Sequence, residues 1–138
     1  MDFLLDTTTL SHLLKNDERV SARLDGLGEG DRIYTSVITE GELLFGAERA
    51  APARRQQLLR TIIPFLDRLA EVLPVTRSVA SKYAEFKGDL TAQGRIIPVN
   101  DLWIAATAAA GDFTLVAQDE HFSRIEGLLL EDWSEGRS

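Results

Sequence analysis

The sequence contains no cysteine. Disulfide bonds, a thiolate nucleophile and cysteine-ligated zinc are therefore excluded. Histidine is nearly absent as well, with only His12 and His121 in the chain. A zinc site built on several imidazoles is impossible, and a two-histidine acid/base nuclease would need this distant pair to meet. No apolar run approaches the ~20 residues needed to cross a bilayer. The N-terminus MDFLLDTTTL carries Asp2 and Asp6 and has neither the basic start nor the apolar stretch of a signal peptide. The expected compartment is the cytoplasm, with no membrane contact. Repeats, low-complexity tracts and internal linkers are missing too. The 138 residues suit one domain, expected over residues 1–133 and followed by a frayed tail over residues 134–138.

Bases are outnumbered, 15 against 22 acids, giving a net charge of −7. That balance argues against indiscriminate coating of nucleic acid. The charge is unevenly placed. Residues 1–48 and 96–138 each carry a net −6, whereas residues 49–95 carry +5. Two acidic ends enclose a basic middle, which a fold could turn into one carboxylate cluster and a separate basic surface. Solvated helix faces are the plainer reading of such runs.

Short apolar runs alternate with helical stretches. Phe3–Leu5 reads as a buried strand, Thr7–Lys15 and Asp17–Leu24 as helices, and Ile33–Thr35 as a second strand after a glycine-rich loop. Ser36 or Thr39 can cap the next helix, which carries Leu43, Leu44 and Ala47. Residues 53–69 have helical spacing, and Pro64 inside them predicts a kink or a split. Residues 72–75 form a third strand. Val79, Tyr83, Phe86 and Leu90 mark a helix that Gly94 ends. Residues 96–99 are extended around Pro98, and Asn100 or Asp101 starts a helix through Ala110. Residues 114–117 are a fourth strand, 119–125 a short helix, and 128–130 an edge strand. The alternation predicts an α/β fold with a parallel sheet of four to five strands and helices on both faces.

Ligands of such sheets bind beyond the carboxyl ends of the strands. Asp6 follows strand one, Glu42 lies early in the helix after strand two, Asp101 opens a helix at that edge, and Asp119 follows strand four. Each has a structural alternative as a helix cap, turn residue or surface ion-pair partner. Together they form four carboxylates that cannot all stay ionised without a counter-charge. Oxygen donors without soft ligands favour magnesium or manganese. Such ions activate water and hold a phosphodiester for in-line attack. A phosphatase site with a second aspartate two residues after the first is excluded by Thr8.

The segments LLDTTTLSHLL, SVITEGELLFGA, IPVNDLWIAATA and LVAQDEHFSRIEGLLLEDW occur in this order over almost the whole chain. Together they resemble the PIN-domain ribonucleases and, more narrowly, the VapC-type toxins of toxin–antitoxin modules. The resemblance implies a three-layer α/β/α sandwich and an endoribonuclease dependent on Mg2+ or Mn2+. It places the family's acidic quartet on Asp6, Glu42, Asp101 and Asp119, as both catalytic and metal-binding residues. Thr8 and Asn100 fall on its supporting polar positions. It also implies an RNA substrate, a homodimer, and a cognate VapB-like antitoxin, bound in a heterotetramer or larger complex.

His121, two residues after Asp119, could approach the site or serve only locally. His12 and Trp103 read as packing residues. Arg54, Arg55, Arg60 and Lys82 could hold phosphates or simply solubilise helices. Leu10, Leu13, Leu14, Leu43, Leu44 and Phe45 offer more apolar surface than one small core needs, which suggests a groove for a partner helix that brings a cation to the acids. Two other functions stay open on sequence: a nuclease of this fold without an antitoxin, and a noncatalytic binding module.

Overall fold

The computed structural model describes residues 1–135. Strand β1 (Asp2–Leu5) leads into α1 (Thr7–Leu14) and α2 (Glu18–Asp25). Strand β2 (Arg32–Ser36) leads into α3 (Val37–Glu48) and α4 (Pro52–Arg68), and β3 (Glu71–Leu73) into α5 (Arg77–Ala92) and α6 (Val99–Ala110). Strand β4 (Thr114–Val116) is followed by a 3-10 helix over Glu120–Arg124 and by β5 (Leu130–Glu131). The sheet order is β3-β2-β1-β4-β5, with every neighbouring pair parallel. Parallel neighbours cannot be joined by a tight turn, so the connections between successive strands carry the helices.

Alternate side chains of β1 point to opposite faces. Phe3 and Leu5 pack with Leu10, Leu13, Ile62 and Leu66 beneath α1–α4, whereas Leu4 packs with Val79, Phe86 and Ile104 beneath α5 and α6. The result is the expected three-layer α/β/α sandwich. Leu10 and Leu13 belong to this core, at 0% and 6% exposure, and are not free groove surface. Phe45, at 62%, is free of it.

The chain leaves β1 toward β2, while β4 pairs with the other side of β1. This reversal opens a crevice beyond the carboxyl ends of β1 and β4. Two buried hydroxyls hold those strand ends: Thr35 Oγ1 donates to the carbonyl of Leu5 at 2.8 Å and Thr9 Oγ1 to that of Val116 at 3.1 Å.

Several local expectations change. Helix α4 runs unbroken through Pro64. The proline removes the bond to the carbonyl of Arg60, but both residues lie on the exposed face, where that carbonyl is open to solvent. Helix α6 begins at Val99, with Pro98 as its N-cap and no side-chain cap bond. A fixed φ and a missing N–H are harmless where a helix starts, so neither Asn100 nor Asp101 caps it. Ser36, not Thr39, caps α3, accepting from the Thr39 N–H at 3.1 Å. Strand β5 starts two residues late because Leu128 packs against the α5–α6 core.

Trp133 is 1% exposed and meets Phe3 edge-on at 5.4 Å. Its Nε1 donates to Glu131, which also pairs with Arg23. At the start of the expected tail, the Ser134 carbonyl accepts from Arg19 at 3.2 Å; residues 136–138 of that tail lie outside the described residues. Among the described residues no helix is long and apolar enough to cross a membrane.

Candidate active site

The crevice gathers all four acids. Asp6 is the N-cap of α1: its Oδ1 accepts from the Thr9 N–H at 2.8 Å, and its own N–H donates to the Val116 carbonyl at 3.1 Å. The second bond crosses from the end of β1 to the end of β4 and leaves Asp6 only 4% exposed. Asp119 also caps, accepting from the His121 N–H at 3.1 Å at the start of the 3-10 helix. For these two, the capping role and a place at the site coincide. Asp101 caps nothing; it stands in the first turn of α6. Glu42 reaches the crevice from α3.

Two contacts that the sequence did not announce order the cluster. The hydroxyl of Thr7 lies 2.5 Å from Glu42 Oε1 and 3.1 Å from Thr39 Oγ1. With one proton to give, Thr7 donates to the carboxylate and accepts from Thr39, whose oxygen is 3.4 Å from Ser36 Oγ. A line of hydroxyls thus runs through the α1–α3 contact and fixes Glu42. His121 stands between two acids, with Nε2 2.8 Å from Asp101 Oδ2 and Nδ1 2.8 Å from Asp119 Oδ1. Nε2 is buried and meets Asp101 without an aligned hydrogen bond.

Burial raises the Asp6 carboxyl from 3.8 to about 6; Asp101 and Glu42 push the same way, against the lowering bonds from Thr9. Burial also raises Asp101, helped by Glu42 and Asp119 and opposed by His121. These couplings place all four acids within one electrostatic neighbourhood.

A raised carboxyl has a definite sign in stability. Below pH about 4 Asp6 is neutral in both folded and unfolded chains. Between pH about 4 and 6 the unfolded chain ionises first, so stability falls as pH rises. A shift of about two pH units corresponds to roughly 3 kcal/mol. Asp6→Asn keeps an acceptor for the Thr9 N–H and removes the charge. In chelator this variant should be more stable than the parent by up to about 3 kcal/mol at pH 7.5, and nearly equal to it at pH 4. Urea unfolding of both proteins at the two values measures the difference; equal stabilities at pH 7.5 would contradict it.

The donor set suits a hard divalent cation. It consists of carboxylate oxygens, and among the described residues no lysine or arginine pairs with any of the four acids. As the side chains stand, no three acidic or imidazole groups among the described residues converge on one point. Glu42 is turned to Thr7, and Asp101 and Asp119 to His121. Magnesium keeps several waters and takes one or two carboxylates directly, so it does not require three of them at one point. Asp6 and Asp101 are the acids whose ionised forms are most in need of a counter-charge.

Of the supporting positions, Thr8 and Asn100 are exposed and bond to none of the acids; the hydroxyl of Thr7, one residue earlier than Thr8, bonds to Glu42 instead. Trp103 stacks on Tyr83 with centroids 3.8 Å apart and planes 9° apart, tying α6 to α5. His12 is in the last turn of α1, at the other end of that helix from Asp6.

The PIN domain family matches residues 3–128 of the chain. Ribonuclease VapC1 of Haemophilus influenzae is 32% identical over 136 residues, covering 97% of this chain and 99% of that protein. Ribonuclease VapC5 of Mycobacterium tuberculosis is 38% identical over 98 residues, 70% of this chain and 71% of that protein. The structure is also similar to VapBC2 from Rickettsia felis, solved bound to a DNA fragment from the promoter. The TM-score there is 0.89 at 30% identity, over 97% of this chain and 100% of that one.

Proposed function

The chain belongs to the PIN domain family, and from that premise we propose that it is the ribonuclease toxin of a toxin–antitoxin pair, restrained by a VapB-like antitoxin. The observation that carries the chemistry is that Asp6, Glu42, Asp101 and Asp119, from four separate stretches of chain, border one crevice closely enough to shift one another's carboxyls. Ribonuclease relatives that match nearly end to end support RNA as the substrate. Neighbours solved as VapBC assemblies support the antitoxin.

We further assign Mg2+ or Mn2+ as the cofactor, with Asp6 and Asp101 as its principal holders and Glu42 and Asp119 completing the charge around it. The bound ion supplies activated water and offsets the charge of the phosphodiester. Thr7 keeps Glu42 directed into the crevice. His121 bridges Asp101 and Asp119 and so positions both.

A mechanism with two imidazoles and the RNA 2′-hydroxyl as nucleophile does not fit, because His12 lies at the far end of α1. Cleavage products should therefore carry 5′-phosphate and 3′-hydroxyl ends. Ligation and phosphatase treatment of the fragments read this directly, and 2′,3′-cyclic phosphate ends would overturn the assignment.

A further inference from the structure

A cavity of about 710 Å³ opens between α1, α3 and α4. Its size lies in the range of small-ligand sites. Thr7 and Glu42 line it, so it runs directly into the acidic crevice. Leu14, Leu43 and Leu58 form apolar walls, and Lys15 and Arg54 stand on its rim.

The cations of the basic middle are not equivalent. Arg55 is committed to Glu48, by a 3.1 Å bond to its carbonyl and a 3.8 Å contact to its carboxylate. Lys82 pairs with Glu85 and lines a different cavity, beside Asp112 and Phe113 at the start of β4, the end of that strand away from the acids. Arg60 is exposed and lines no wall of the α1–α3–α4 cavity. Arg54 makes only a weak 3.4 Å contact to Gln57, and Lys15 has no ion-pair partner among the described residues.

We propose that this cavity is the subsite for the RNA strand on one side of the scissile bond, with Lys15 and Arg54 holding its phosphates and the leucine walls receiving a base. The inference rests on the ribonuclease reading and adds its substrate track. Four carboxylates repel a polyanion, so the strand needs cations close to them. Lys15 and Arg54 line the same cavity as Glu42. Apolar walls between acid and cation suit a base unstacked from a single strand, the form in which RNA is usually read. Arg54 and Lys15 are positioning residues: they fix phosphates, while the acids act on the bond.

The test compares Arg54→Gln, Lys15→Gln, their combination and the control Arg60→Gln. With cleavable single-stranded RNA, the first two should each raise KM about three- to tenfold while kcat at saturating RNA is retained. Each should also lower the slope of log affinity against log salt by about one. Arg54→Lys should recover most of the loss. The same substitutions in an Asp101→Asn background, read as anisotropy of a labelled mixed-sequence RNA, report binding without cleavage. A parent chain that binds this RNA through Arg54 but never cuts it would fail the ribonuclease reading and keep the track. Cleavage with KM and salt slope no more changed than in Arg60→Gln would overturn the track and keep the ribonuclease. RNA binding unchanged while binding of the cognate antitoxin falls would also overturn it, giving the groove to the protein partner.

Discussion

Asp101→Asn should lower RNA cleavage at least about a hundredfold and leave the chain folded. Loss of a group that merely orients a metal ligand already costs 10–100-fold, so loss of a ligand belongs at or beyond the upper end. Folding should hold because no cap is lost: α6 is capped at Pro98, without a side-chain bond. Two effects oppose each other in the metal-free protein. A carboxylate in the first turn of a helix gains about 0.3–1 kcal/mol from the dipole. Against that, burial and the neighbouring Glu42 and Asp119 disfavour the charge, and their sum outweighs the help from His121, since the carboxyl is raised. An asparagine at the same place keeps an oxygen facing His121. Thermal melting in chelator should therefore be unchanged or higher in the variant. A melting point many degrees lower, together with lost activity, would make Asp101 a structural residue.

Chelation is expected to have the second large effect. EDTA should abolish cleavage, and added Mg2+ or Mn2+ should restore it. The same ions should stabilise the fold, because they bind the folded cluster and have no preformed site in the unfolded chain. At a hundred times the dissociation constant this linkage is worth about 2.7 kcal/mol, which for a domain of this size raises the melting temperature by roughly 5–10 °C. Asp6→Asn should lose most of that rise. Cleavage persisting in chelator, by protein freed of metal, would reject the cofactor.

The strands and the acids were legible for a physical reason. Buried parallel strands are short apolar runs, and the residue that ends one lies at the ligand edge whatever the rest of the fold does. Asp6 follows β1 directly and Asp119 comes shortly after β4 ends at Val116, so their placement needed no tertiary knowledge. What the sequence hid depends on contacts between distant segments. Thr7 meets Thr39 and Glu42 across 32 and 35 residues, through a crossing of α1 and α3 that no local pattern specifies. For that reason Thr8, favoured by family position, gave way to its neighbour. His121 was visible only as a residue near Asp119; its contact with Asp101 needs α6 and the 3-10 helix brought together. Prolines misled twice. Pro64 sits on an exposed helix face where the freed carbonyl is open to solvent, and Pro98 moved the start of α6 ahead of Asn100. The apolar surplus in α1 was overstated as well, since Leu10 and Leu13 are consumed by the sheet and only Leu14 remains to line the groove.

On this proposal the carboxylate crevice at the ends of β1 and β4 holds the cation that RNA cleavage requires. Calorimetric titration of Mn2+ into the metal-free chain near pH 7.5, run beside ribonuclease assays on the same preparations, tests it most directly. Binding to the parent protein should be saturable, at least about tenfold weaker in Asp6→Asn and in Asp101→Asn, and cleavage should fall in step with occupancy. Binding that ignores both substitutions, or full cleavage where no ion binds, would contradict it.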